Sequence, residues 1–89
     1  MNENKILETR IALIGIIVSD DALTDRLNSI LSSYRDHIVG RMGVPYKSKG
    51  VNIISIIIDA PADTISALSG ALGNLKGIST KTLYAKVGE

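Results

Sequence analysis

Eighty-nine residues suffice for one domain and leave no room for a second core. An apolar share of 45% against 21% charged excludes a disordered tail, and a net charge of +1 is too small to hold a phosphate backbone electrostatically. Without cysteine the chain has no disulfide and no thiolate nucleophile, and without Phe or Trp it lacks the usual stacking platforms for single-stranded nucleic acid.

Residues 1–9 read as a flexible N-terminal segment ahead of one domain over 10–87. The apolar run Ile11 to Val18 falls short of the roughly 18 residues needed to cross a bilayer. Glu3 and Glu8 interrupt the basic lead-in that a secretory leader requires. A cytoplasmic protein without membrane contact is expected.

From Arg10 to Val18 branched residues follow one another without helical gaps, the pattern of a strand covered on both faces. Leu23, Leu27, Ile30, Leu31 and Tyr34 then fall along one face of a helix between Asp20 and Arg35, with Ser19 or Asp20 as its cap. His37 to Val44 and Val51 to Asp59 read as two further strands joined by a six-residue hairpin loop, Pro45 to Gly50. Pro61 opens a second helix whose inward stripe is Ile65, Leu68, Leu72 and Leu75, and Ile78 to Val87 closes the chain as a more polar strand.

The order β-α-β-β-α-β predicts an α+β, ferredoxin-like sandwich: a four-stranded antiparallel sheet with two helices on one face. Right-handed crossovers place the first and third strands in the centre. Both of these strands are aliphatic on both alternating sets, yet two helices cover only one face. The helix-free face should therefore present Ile11, Leu13, Ile17, Val51, Ile53 and Ile57, an apolar patch of the kind that marks an interface. The expected partner is a second copy, giving a dimer or a dimer of dimers.

Catalytic constellations are scarce. His37 is the single histidine, so neither a His-rich metal site nor a triad is indicated, and its one route to a metal is as a ligand shared across an oligomer axis. No cofactor is expected. The distinctive stretch runs from Gly40 to Gly50, where Gly40 and Gly43 can bend the strand or make room. There Arg41 is suited to grip a carboxylate or phosphate, and Pro45, Tyr46, Lys47 and Lys49 complete the candidate effector or partner site. Ser19 and Asp20, at the start of the first helix, form a second candidate through its free amide donors.

The run Ile38-Val39-Gly40-Arg41-Met42-Gly43-Val44-Pro45-Tyr46, followed by Gly50-Val51 and the Ile-rich third strand, resembles the iron-only hydrogenase system regulator family. The stretches Ile14 to Val18 and Leu68 to Gly73 join the likeness. The resemblance implies an ACT-like domain, similar to the C-terminal regulatory domain of the nickel-responsive repressor. It further implies an oligomeric, non-enzymatic module of transcriptional regulation that responds to a small effector. That repressor's nickel site uses several histidines and a cysteine, whereas this chain has His37 alone. With about nine residues before the first strand, no DNA reader and no direct nucleic-acid contact are expected. The competing reading is a protein–protein adaptor acting through the 40–50 hairpin without a small-molecule ligand.

Overall fold

A period of two in the aliphatic strands and a period near four in the helices divide the side chains between one packed layer and one open face. The structure, a computed structural model, describes residues 8–86. The predicted flexible segment thus lies outside the described residues for all but Glu8 and Thr9, as does Val87. Four strands, β1 (Arg10–Val18), β2 (Ile38–Tyr46), β3 (Val51–Ala60) and β4 (Ile78–Tyr84), form one sheet in the order β2-β3-β1-β4. Every neighbouring pair is antiparallel. Helix α1 (Thr24–Ser33) links β1 to β2, and α2 (Ala62–Gly73) links β3 to β4. This is the expected α+β, ferredoxin-like βαββαβ arrangement, with each crossover skipping one strand.

The core lies between sheet and helices. Ile14 and Ile16 of β1, Ile56 and Ile58 of β3, Leu27 and Leu31 of α1, and Ile65, Leu68 and Leu72 of α2 are all buried. Leu23, Ile30, Tyr34 and Leu75 complete the predicted helical stripes as half-buried flanks. The hydroxyls of Ser69 on α2 and Thr82 on β4 bond at 2.8 Å, fixing the second helix over the β4 side of the sheet.

Several boundaries differ from the sequence reading: β3 runs one residue further, to Ala60, and β4 stops at Tyr84, short of the expected Val87. β2 begins at Ile38 and runs on through Pro45 and Tyr46, so the hairpin connection is four residues, 47–50, in place of six. On an edge strand half the amides point away from the sheet, so proline there need not remove a ladder bond. Lys47–Lys49 make a 3₁₀ turn closed by Gly50, whose φ of +68° is left-handed backbone that glycine adopts freely. In β2 the register shifts between Ile38 and Gly40, leaving Val39 as the extra residue of a bulge.

Neither Ser19 nor Asp20 caps α1, whose N-cap is Leu23 with no side-chain cap bond; a 3₁₀ turn, Asp21–Leu23, intervenes, and Asp20 opens that turn, its Oδ1 accepting the Ala22 N–H at 2.9 Å. Ser19 serves another purpose. Its hydroxyl and its N–H both donate to the Gly77 carbonyl, at 3.0 and 2.8 Å, pinning the turn before β4 to the end of β1. Gly77 itself sits at φ +84°, and a Cβ there would lie 3.2 Å from Leu23 Cδ1 and 3.3 Å from the Asp20 Cβ. No helix of the described residues is long and apolar enough to cross a membrane.

Candidate functional site

The register fixes what the helix-free face displays. Leu13 stands between Ile57 and Leu83, and Ile17 between Ile53 and Ser79. Val44 flanks Ile53, and Tyr46 flanks the half-buried Val51. Ile11, Leu13, Ile17, Met42, Val44, Tyr46, Ile53, Ile57 and Leu83 are each 40% to 68% exposed. The six interface candidates read from the sequence all fall on this side. Met42, Val44, Tyr46 and Leu83 extend the patch over both edge strands. Period-two alternation would have revealed Leu83; in β2 the bulge at Val39 hides it.

Between the aliphatic rows runs a shallower one, Met42-Ser55-Gly15-Lys81, so the patch is ridged. At its β1–β4 end it dips into a concavity of about 500 Å³ whose lining includes Ile11, Leu13, Ile57 and Leu83, with Tyr84 and Lys86 beside them. Arg10 sits over the Tyr84 ring at 4.3 Å from its centroid, a cation–π contact at the border of this dip.

The hairpin candidates do not form one cluster. Arg41, Gly43 and Pro45 pair with Ile56, Ile54 and Asn52 and so belong to the helix-bearing side. Gly40 and Tyr46 belong to the open side, and Lys47 and Lys49 sit in the turn. Arg41 extends toward α1, where its guanidinium donates to Asn28 Oδ1 at 3.1 Å. Beside this pair lies a cavity of about 270 Å³ between α1 and the β2 edge.

Ser19 and Asp20 do not line that cavity. The Asp20 carboxylate takes the Ala22 amide of the 3₁₀ turn, one turn ahead of the first residue of α1, Thr24. His37 is half-buried. Its N–H donates to the Tyr34 carbonyl at 2.9 Å, and its own carbonyl accepts the Asp59 N–H at 3.0 Å. Among the described residues no three or more His, Cys, Asp or Glu side chains gather as a metal site would require.

Residues 10–82 match the family described as "TM1266-like: Iron-only hydrogenase system regulator, putative". The chain belongs to this family. Among solved structures, the uncharacterized protein TM1266 from Thermotoga maritima is similar over 89% of this chain and 100% of its own, at 31% identity and a TM-score of 0.85. An unknown protein from Galdieria sulphuraria shares the fold at a TM-score of 0.61 and 17% identity. It aligns with 92% of this chain, which spans 48% of that longer protein. No curated protein matches. The span shared with the TM1266-like family takes in all of β1, β2 and β3, and so most of the aliphatic ridges and the cavity beside Arg41.

Proposed function

We propose that this member of the iron-only hydrogenase system regulator family is a non-enzymatic, ACT-like regulatory module. It pairs with a second copy of itself through the helix-free face, and a small effector biases that pairing. The observation that carries the reading is the gathering of nine large, roughly half-exposed apolar side chains on one face of the sheet. At about half of roughly 170 Å² apiece they offer on the order of 750 Å², close to the roughly 800 Å² per partner of a standard stable interface. Charges on the face are few: Lys81 on the β4 edge, Asp59 at one end of β3 and Lys86 at the rim of the concavity, so hydrocarbon dominates what a partner would meet. A two-fold pair of like aliphatic surfaces is the simplest cover. An effector acts on such a pair only by binding one arrangement better than another, and gene control would pass through another protein.

Sedimentation over a dilution series tests the pairing. The wild-type chain should run as a dimer or larger, and Ile57→Glu as a folded monomer; a wild-type monomer at micromolar concentration overturns it. Thermal-shift screening with metabolites and divalent metals tests the effector, since a true ligand raises stability by RT ln(1 + [L]/Kd). Failure of every class in a broad screen removes the effector and favours the adaptor reading.

A further inference from the structure

We propose that the cavity between α1 and β2 binds a small apolar monocarboxylate. The proposal rests on the effector half of the reading above and is independent of the pairing half. The floor of the cavity is hydrocarbon, from the buried Val18, Leu27 and Ile54. Its polar lining is Thr24, Asn28, Asn52 and Arg41, and Arg41 is the one charged residue among those lining it. A single guanidinium over an aliphatic floor matches a single negative charge on an aliphatic body. A phosphate or a dicarboxylate would find no second cation, because Lys47 and Lys49 lie in the turn outside the cavity.

The Asn28 bond engages one of the five N–H donors of Arg41. It also holds the planar fork in place across the mouth, where paired N–H groups suit a carboxylate. The volume of about 270 Å³ gives room for a ligand of metabolite size.

Gly43, one of the residues lining the cavity, adds to this space. Glycine weakens a strand, and neither of its usual reasons applies here. Its φ is not positive, and an added Cβ would meet only Ile54 Cγ1 at an ordinary 3.9 Å. What the missing side chain leaves is the entrance between β2 and α1.

The test is a titration of the ¹⁵N-labelled 89-residue chain with isovalerate, and with isovaleramide as its uncharged twin, followed by amide chemical shifts. Isovalerate should shift Gly43 and the Asn28 side chain saturably, and isovaleramide should bind roughly tenfold or more weakly. Arg41→Gln should lose the preference for the acid. Gly43→Val should fold and melt no lower than wild type, valine being the better strand residue, and should not bind. Equal binding of acid and amide, binding unchanged in either variant, or no saturable shift up to on the order of 50 mM overturns the proposal. If other metabolites raise the melting temperature while isovalerate does not, this site falls and the effector reading stands; if nothing does, both fall.

Discussion

Arg41 on the outermost strand reaches across to Asn28 on α1, and the 3.1 Å bond between guanidinium and amide oxygen braces the sheet edge against the helix above it. Both residues are exposed, so the brace contributes little to global stability. Arg41→Ala and Asn28→Ala should each cost less than about 1 kcal/mol in urea unfolding, with a double-mutant coupling of about 0.5 to 1 kcal/mol. A coupling indistinguishable from zero would show that the bond does not persist in solution.

Neighbouring isoleucines on β3 should respond in opposite ways to the same change. Ile54 is 8% exposed and Ile53 is 40% exposed, on opposite faces of the sheet. Ile54→Glu buries a carboxylate without a partner and should unfold the chain or cost several kcal/mol. Ile53→Glu should keep the circular dichroism spectrum and cooperative melting of a folded domain while abolishing assembly in sedimentation. Unfolding by both variants would show that the folded subunit needs its partner.

The two left-handed glycines separate strain from crowding. At Gly50 an added Cβ meets open space, so Gly50→Ala should cost about 1 kcal/mol, from backbone strain alone. At Gly77 the same strain is joined by contacts at 3.2 and 3.3 Å with Leu23 and Asp20, and the cost should reach roughly 2 to 3 kcal/mol. Chemical denaturation of both variants measures the difference, and equal losses would mean that Leu23 yields freely.

Leucine truncations should report the two sides of the sheet. Leu72 is fully buried and Leu83 is 68% exposed. Leu72→Ala should lose about 2 to 5 kcal/mol, a large part of the stability of so small a domain. Leu83→Ala should lose less than about 1 kcal/mol from the subunit and show its effect in assembly, read by comparing denaturation with sedimentation.

Much of this architecture is legible in the chain because the signals are local and redundant. The gapless aliphatic run over β1, the four-residue spacing of Leu23 and Leu27 and the punctuation by Pro61 each name an element without tertiary knowledge. The helix-free set on β1 and β3 follows from alternation once one face is assigned inward. The edge strand is harder. Alternation in β2 changes phase at Val39; Gly40 beside it signals a bend, but nothing local says that one residue is skipped there. The hairpin residues look like one basic, glycine-rich group in sequence, while the regular pairing of Arg41 through Tyr46 sets those two residues on opposite sides of the sheet. The meeting of Arg41 with Asn28 depends on how α1 lies over that edge, which no spacing encodes.

That one surplus residue has a reach beyond its own kink. Were Val39 paired in step with Ile57, each later position of the strand would rotate by half a turn. Arg41 would then be thrust among the aliphatic ridges, and Met42 and Val44 would be driven beneath the helix. Deleting Val39, by contrast, would bring the pairs Ile38–Ile58 and Gly40–Ile57 into direct succession and should leave Arg41, Met42 and Val44 on the sides they now occupy, so what the strand must avoid is the slip and not the loss of the residue. Left loose, that single stitch keeps the oily side oily and the charge where an acid can find it.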